Sequence, residues 1–222
     1  MTTRTAESFP QSYAGWSAHG YAGNGNTSQL VDSEKDRPCI IAGGSYMVFN
    51  DILEARRRML RSGIVNDTER PLIIAANDVG MFLPEVDHWV SLHTDNLSVW
   101  KSVRWLQQKP VEPKLHGIDK RPFVDYWWEG LSPLFALSGY FAMQIAHIMG
   151  CNPIVLCGCP GSQVKRFFEL EARPDFGYGS GPAGSDEGIR QQLIREMNRL
   201  PDFKSKVSSM SGWTREFFGS LR

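Results

Sequence analysis

Short unbroken apolar runs alternate with amphipathic stretches from Pro38 onward, and this alternation predicts an α/β fold. Continuous hydrophobic strands are typical of parallel sheets that are covered by helices on both faces. We therefore expect a Rossmann-like domain with a mostly parallel sheet and crossover helices between consecutive strands. The predicted strands are Cys39–Ala42, Leu72–Ala76, 88–92, 114–118, Ile154–Cys157 and 206–210.

Four amphipathic stretches predict helices, because their apolar residues recur at helical spacings of three and four. They cover 46–61, 94–108, 139–149 and 186–200, and a further helix is predicted over 163–171. Thr94 and Ser138 are the predicted N-caps of the second and third helices. In the second helix we expect Val99, Val103 and Leu106 to share the buried face.

Residues 1–36 are rich in Ser, Thr, Gly and Asn and show neither a strand nor a helix period, which predicts an N-terminal arm before a domain over 37–222. Tyr13, Trp16 and Tyr21 are more aromatic than a linker needs. The arm is therefore expected to dock on its own domain or on a neighbouring subunit, and the second case would make the protein a homo-oligomer. A second glycine-rich stretch, 177–184, is predicted to close over a ligand as a lid.

The composition argues against two large classes of protein. The 222 residues include 24 Lys and Arg against 24 Asp and Glu, so the formal net charge is zero. A neutral balance argues against a protein that binds nucleic acid or an anionic membrane surface. No window is apolar over the roughly 18 to 20 residues of a transmembrane helix, and the first residues lack the layout of a secretory signal. We expect a soluble, cytoplasmic protein.

The four cysteines, Cys39, Cys151, Cys157 and Cys159, lie in apolar runs and are predicted to be reduced thiols in the core. The alternative is a soft-metal site built from Cys151, Cys157 and Cys159. Zinc sites usually leave about two to four residues between paired cysteines, whereas a single residue separates Cys157 from Cys159. The spacing therefore favours buried thiols, and no metal ligand is assigned to them.

The turn Gly43-Gly44-Ser45, between the first strand and its helix, is the first candidate binding feature. Two glycines let a ligand approach the backbone, and N–H groups at a helix start attract an anion, so a phosphate would be held here without a cationic side chain. The turn lacks the spacing of the dinucleotide fingerprint and of the phosphate loop. The alternative is a tight turn without a ligand. If the turn binds phosphate, a bulky residue at Gly43 should abolish nucleotide binding without unfolding the protein.

Polar residues after the second and third strands form the second candidate feature. Asn77 and Asp78 follow one strand, while His93, Thr94 and Asp95 follow the next. Ligands of open parallel sheets bind at the carboxyl ends of strands, so these residues are predicted to orient a base, ribose or phosphate. Asp78 or Asp95 would hold Mg²⁺ if the ligand requires it, and His93 or Asp95 is the candidate proton carrier. The alternative is that these are turn and cap residues.

The segment 137–158, LSGYFAMQIAHIMGCNPIVLCG, resembles a recurring segment of a set of related Rossmann-like proteins. The set comprises bacterial lipooligosaccharide sialyltransferases, motility accessory factor glycosyltransferases and archaeal 6-hydroxymethylpterin diphosphokinase-like proteins. The stretch 40–45 (IIAGGS) is similar to their first strand and phosphate turn, and 86–93 (VDHWVSLH) to their third strand. The stretch 207–218 (VSSMSGWTREFF) is similar to their closing strand and tail.

This resemblance implies a transferase of glycosyl or phosphoryl groups that depends on a nucleotide or a nucleotide-sugar, possessing the fold expected above. It places the nucleotide ligand near the turn Gly43-Gly44-Ser45 and near the helix start at Ser138 and Gly139. Both are helix N-termini, where phosphate groups bind readily.

Two departures from these relatives concern the chemistry. The sialyltransferases use a histidine downstream of the strand that corresponds to 154–158, whereas the last histidine of this chain is His147. Other members often place an acidic residue soon after that strand, where this chain has Cys159 and Pro160. A non-catalytic nucleotide-binding or assembly protein on the same scaffold is therefore the alternative.

Overall fold

Seven parallel strands form the sheet that organises this protein. The computed structural model describes residues 26–109, 112–128, 137–162, 166–168 and 186–222. Six of the strands occur where apolar runs predict them, and the short β5 is an addition. The strands are β1 (Cys39–Ala42), β2 (Leu72–Ala76), β3 (His88–Val90), β4 (Lys114–Gly117), β5 (Tyr126–Trp127), β6 (Ile154–Cys157) and β7 (Val207–Ser209).

Helices connect these strands and cover both faces of the sheet. Four correspond to predicted helices, and two short ones near the C-terminus are additions. They are α1 (Val48–Arg61), α2 (Asn96–Leu106), α3 (Ser138–Ile148), α4 (Asp186–Arg199), α5 (Pro201–Ser205) and α6 (Gly212–Phe218), with 3-10 helices at Asn26–Leu30 and Asn77–Met81. None of the described helices combines the length and the apolar character needed to cross a membrane.

The strand order is β5-β4-β3-β2-β1-β6-β7, and each neighbouring pair is parallel. The predicted α/β, Rossmann-like fold is therefore confirmed. The chain adds strands from β1 toward β5 in one direction and then places β6 on the other side of β1. The direction of winding reverses between β1 and β6, so these two strands form the topological switch point of the sheet.

Alternate residues of each strand point into two separate cores. Ile40, Ile73 and Val155 face the layer of α1 and α2, and Ile41 and Ile74 face the layer of α3 and α4. This division explains the unbroken apolar strands, because both faces of the sheet exclude water. The predicted core thiols are also confirmed, since the four cysteines are free and three of them are buried.

The predicted buried face of α2 is wrong. Val99 and Leu106 are 61% and 71% exposed, whereas Leu97 and Arg104 are buried. The guanidinium of Arg104 donates to the carbonyl oxygens of Gly80 and Leu83 at 2.9 and 2.7 Å. These carbonyl groups give the cation hydrogen-bond acceptors inside the protein, so the helix turns its arginine inward.

Three further local predictions are wrong. The N-cap of α2 is Asp95, and the Thr94 hydroxyl instead accepts the N–H of Ile118 at 3.1 Å. Ser138 is the first residue of α3, and the N-cap of that helix is the preceding residue, Leu137. The helix predicted over 163–171 is absent at its described residues 166–168, where Arg166 forms an isolated antiparallel bridge with Ser45.

The described part of the predicted arm packs on the domain. Leu30 is buried in the core beneath α3. The N–H groups of Asp32, Glu34 and Asp36 donate to carbonyl groups at the end of α3, at 2.9 to 3.0 Å. Residues 26–36 therefore complete the C-terminus of that helix, where carbonyl groups would otherwise lack partners. The arm residues 1–25 and the predicted lid 177–184 lie outside the described residues.

A buried carboxylate joins α1 to the ends of β6 and β7. Oδ2 of Asp51 accepts the N–H of Gly158 at 2.9 Å and the hydroxyl of Ser211 at 2.5 Å. Asp51 and Ser211 are both buried. One side chain thus satisfies two buried donors from segments that are far apart in the sequence.

A pair of buried histidines joins β3 to β4. Nε1–H of Trp128 donates to Nδ1 of His116 at 3.1 Å, so that nitrogen carries no proton. Nε2 of His116 must then donate to Nδ1 of His88, which lies 2.8 Å away. Burial, followed by the charge of His88, holds the pKa of His116 well below its ordinary value. The pKa of His88 is also lowered by burial, and Asp87 and Glu34 partly oppose this effect. Both rings are therefore neutral in the folded protein.

We expect Asp51→Ala to lower the free energy of unfolding by about 2 to 5 kcal/mol, because it leaves two buried donors without an acceptor. Ser211→Ala is the matched control, since it removes one donor and keeps the bond from Gly158 to Asp51. It should cost about 1 kcal/mol. Urea denaturation of both variants measures the difference. Equal losses in the two variants would show that Asp51 has no such role.

We expect the free energy of unfolding to fall as the pH decreases below about 6.5, the ordinary pKa of histidine. The folded-state pKa values of His116 and His88 are lowered, so the unfolded chain takes up more protons in this range. Urea midpoints at about pH 7.5 and about pH 5 measure the change. His116→Gln should reduce the pH dependence, because it removes one of the two buried rings. An unchanged pH dependence in His116→Gln would contradict the assignment.

Candidate functional site

At the switch point, where open parallel sheets bind their ligands, the turn after β1 packs directly against the end of β6. Gly43 N–H donates to the carbonyl of Cys157 at 2.8 Å, and Ser45 N–H donates to that of Gly158 at 3.2 Å. A Cβ on Gly43 would lie 2.5 Å from both the Gly158 oxygen and the Cys159 sulfur. Gly43 is therefore required for packing. Replacing it would disturb the backbone, so we expect a substitution at Gly43 to lower the stability as well as any binding of a ligand.

Most N–H groups of the first turn have partners within the protein. Besides those of Gly43 and Ser45, the N–H groups of Met47 and Val48 donate to the hydroxyl and the carbonyl of Ser45. The turn was expected to hold a phosphate through its backbone alone. Fewer backbone N–H groups are therefore left for an anion than that expectation assumes. An anionic ligand here also needs a positively charged side chain.

Arg166 supplies a positive charge at this turn. Phe167 N–H donates to the Gly44 carbonyl at 3.1 Å, which fixes the backbone of the 166–168 segment against the turn. The guanidinium lies directly over Gly44, where a Cβ would be 2.7 Å from Nη2 and 3.1 Å from Cζ. Only glycine at position 44 leaves room for this arrangement.

Asp78, in the 3-10 helix after β2, forms an ion pair with Arg166 through Oδ1 and Nη2. Burial raises the pKa of the Asp78 carboxyl above its ordinary value, and the charge of Arg166 opposes part of this rise. The loop that carries Asp78 is held from the other side, because Arg104 donates to its carbonyl groups at Gly80 and Leu83. Arg104 is thus a positioning residue for Asp78.

Asn77 links the ends of β2 and β3. Its Oδ1 accepts the hydroxyl of Ser91 at 2.9 Å, and Ser91 Oγ in turn accepts the N–H of His93 at 2.9 Å. The side chain of His93 is exposed. Next to this link, Ser138 Oγ accepts the N–H of Leu92 at 3.1 Å and so ties the start of α3 to the end of β3. The side-chain oxygens of Asn77 and Ser138 therefore already serve the scaffold.

Asp95 does not point toward the other candidate residues. It is exposed and pairs with Arg121 at 2.7 Å. The hydrogen bond from Arg121 lowers the pKa of Asp95 below its ordinary value. A lower pKa makes the carboxylate a weaker base, which leaves His93 as the stronger of the two candidate proton carriers.

The thiol of Cys159 lies between Gly43, in the turn after β1, and Gly139, at the start of α3. A Cβ on Gly43 or on Gly139 would lie 2.5 or 3.1 Å from its sulfur. Burial, followed by the charge of Asp51, raises the pKa of Cys159 to about 12. The thiol is therefore protonated near neutral pH and is not an activated nucleophile. Among the described residues no three His, Cys, Asp or Glu side chains converge as a metal site.

Four phenylalanine rings form a patch beside Arg166. The Phe167 ring contacts those of Phe49, Phe82 and Phe168 at centroid distances of 5.8, 5.2 and 5.1 Å. Phe168 is 57% exposed, and the guanidinium carbon of Arg166 lies 5.3 Å from its ring centroid. This aromatic patch places exposed apolar surface next to the cation.

The structure thus brings seven predicted residues close to one another at the carboxyl edge of the sheet: Gly43, Gly44, Ser45, Asn77, Asp78, Ser138 and Gly139. The backbone of His93 joins them, whereas Asp95 turns away and Thr94 serves the end of β4. The sequence does not predict Arg166 or the aromatic patch as parts of the site. Arg166 and its two phenylalanines are adjacent in the sequence, but the amphipathic pattern of 163–171 predicts a helix there.

Comparison with known proteins gives no further identification. No protein-family model matches the chain, and no curated protein matches it. The resemblance to the glycosyltransferases, sialyltransferases and diphosphokinase-like proteins stays a prediction.

Proposed function

We propose that this protein binds a nucleotide or a nucleotide-sugar at the switch point of the sheet and transfers a glycosyl or phosphoryl group from it. The observation that carries the proposal is the guanidinium of Arg166 lying over Gly44 at the carboxyl edge of the sheet. Ligands of open parallel sheets bind at this position, and a guanidinium is suited to phosphate oxygens. The resemblance of 40–45 and 137–158 to nucleotide-dependent transferases points the same way.

The aromatic patch supports a nucleotide over an unattached phosphate. Phe168 presents an exposed ring next to the cation, with 5.3 Å between its centroid and the guanidinium carbon of Arg166. Stacking of a base on an aromatic side chain contributes roughly 1 to 3 kcal/mol and does not depend on which base it is. Arg166 and Phe168 together would hold both ends of a nucleotide.

Transfer of a group requires a proton carrier, and His93 is the candidate for it at the same edge. Binding without catalysis is the second candidate function, because Asp95 is occupied by Arg121 and the Cys159 thiol stays protonated. Turnover of a bound nucleotide-sugar or nucleoside triphosphate, followed by chromatography, separates the two functions. Turnover that His93→Gln abolishes supports the transferase, whereas binding without turnover supports the second function.

A thermal-shift panel of nucleoside phosphates, nucleotide-sugars and Mg²⁺ tests the proposal. A ligand at about 100 times its dissociation constant adds about 2.7 kcal/mol to the stability.

We expect Gly44→Ala to weaken nucleotide binding roughly tenfold or more, because the new methyl group displaces the guanidinium of Arg166. Its melting temperature without ligand should stay near that of the wild type, since the contact is with the end of a flexible side chain.

Gly43→Ala is the matched variant at the neighbouring position. Its methyl group would meet the Gly158 backbone, so it should lower the stability by about 1 to 3 kcal/mol or more. No shift of the wild type with any nucleotide or nucleotide-sugar would refute the proposed function. Loss of stability in Gly44→Ala as large as in Gly43→Ala would refute the different roles of the two glycines.

We expect Phe168→Ala to weaken nucleotide binding roughly five- to hundredfold, because a base loses its stacking partner. The same variant should bind inorganic pyrophosphate as the wild type does, since pyrophosphate has no base. Isothermal titration calorimetry with both ligands measures this difference. Trp105→Ala is the control, because Trp105 is an aromatic residue of α2 that is 76% exposed outside the patch. An equal loss for both ligands, or no loss for the nucleotide, would contradict the stacking role.

A further inference from the structure

We infer that Asp78 competes with the ligand for Arg166: the carboxylate holds the guanidinium in the free protein, and the phosphate of the ligand takes it over on binding. The inference rests on the proposed function for the position of the ligand and deepens it by naming the group that receives the phosphate. It assigns Arg166 as the anion-binding residue. It also replaces the prediction that Asp78 binds ribose or Mg²⁺.

The backbone around Arg166 is fixed, whereas its side chain ends in the ion pair with Asp78. The bridge to Ser45 and the bond from Phe167 to Gly44 anchor the main chain beside the turn after β1. From that anchor the guanidinium reaches across Gly44 to Asp78. A phosphate above the Gly44 turn would lie along the same path, so Arg166 needs only a change of side-chain torsions to contact it.

The hydrogen bonds within the turn after β1 explain why the guanidinium of Arg166 is needed. The N–H groups of Gly43, Ser45, Met47 and Val48 are already bonded within the protein. A phosphate that lost its hydration shell here would therefore find too few backbone donors. A buried charge without a partner is costly, and a guanidinium offers two parallel donors to phosphate oxygens.

The exchange keeps the guanidinium paired throughout. Side-chain exposures of 28% for Arg166 and 14% for Asp78 make the pair half-buried, and such pairs contribute little net stability. The phosphate groups of a nucleotide or nucleotide-sugar together carry more negative charge than one carboxylate, so they attract the guanidinium more strongly. Burial raises the pKa of the Asp78 carboxyl, which eases the uptake of a proton once Arg166 has left.

The two roles of Asp78 predict different effects of removing its charge. If Asp78 competes with the ligand, Asp78→Asn removes the competing charge and tightens anion binding. If Asp78 is a ligand for Mg²⁺, the same variant weakens pyrophosphate binding in the presence of Mg²⁺, and if Asp78 contacts ribose, the variant leaves pyrophosphate binding unchanged. The measured change in pyrophosphate binding therefore decides between them.

Inorganic pyrophosphate is the probe, because it tests the anion site without a base or a sugar. Its dissociation constant is measured by isothermal titration calorimetry on the full-length wild type, Arg166→Met, Arg166→Lys and Asp78→Asn, with EDTA and again with Mg²⁺. We expect Arg166→Met to weaken binding roughly tenfold to hundredfold, since it removes charged hydrogen bonds. Arg166→Lys should lie between it and the wild type, because it keeps the charge and loses the paired donors. Asp78→Asn should bind several-fold more tightly than the wild type.

Glu85→Gln is the matched control, because Glu85 pairs with Arg56 at 3.1 Å on the surface and its loss should leave pyrophosphate binding unchanged. Melting temperatures show which variants fold, and Asp78→Ser replaces Asp78→Asn if the latter does not. The inference is overturned by wild-type binding in Arg166→Met, by unchanged or weaker binding in the Asp78 variants, or by no binding of pyrophosphate to the wild type. If pyrophosphate binds but no nucleotide or nucleotide-sugar shifts the melting temperature, the proposed function is refuted while the anion site stays in place.

Discussion

The close contact between the turn after β1 and the end of β6 is the constraint on which the candidate site depends. Two backbone hydrogen bonds cross this contact, and the missing Cβ of Gly43 allows it. Gly158 adopts a φ of +67°, which glycine tolerates without strain, and Asp51 satisfies its N–H group. The segment that brings Arg166 over Gly44 is bonded to the same turn, through Ser45 and Gly44.

Polar residues at this edge divide into those that hold the scaffold and those that remain for a ligand. Thr94, Ser138 and Asn77 each use a side-chain oxygen to accept an N–H or a hydroxyl of a neighbouring strand end. These bonds satisfy buried groups that the short loops leave open, and they keep the edge rigid. The charged pair of Arg166 and Asp78 is different, because its partners can be exchanged. A rigid edge with one exchangeable ion pair suits the binding of an anion.

The sequence predicts the strands better than the contacts at their ends. β2 and β6 have the predicted bounds, because burial on both faces demands an unbroken apolar run. α2 is misassigned in its buried face, since hydropathy treats Arg104 as a residue that faces water. Its buried position depends on carbonyl groups of a loop some twenty residues earlier. Arg166 has no local signal either, because its role depends on a bridge to Ser45 that only the strand order creates.

The placement of β6 has a consequence for how the chain is made. β1 lies inside the sheet between β2 and β6, yet its second neighbour comes from residues 154–157. While the ribosome is still making the first 150 residues, β1 pairs with β2 alone and its other side is an open edge. Unpaired strand edges invite pairing with other chains, and contacts between distant residues form slowly. The half-made protein is thus most exposed to aggregation along the same strand that later carries the candidate site.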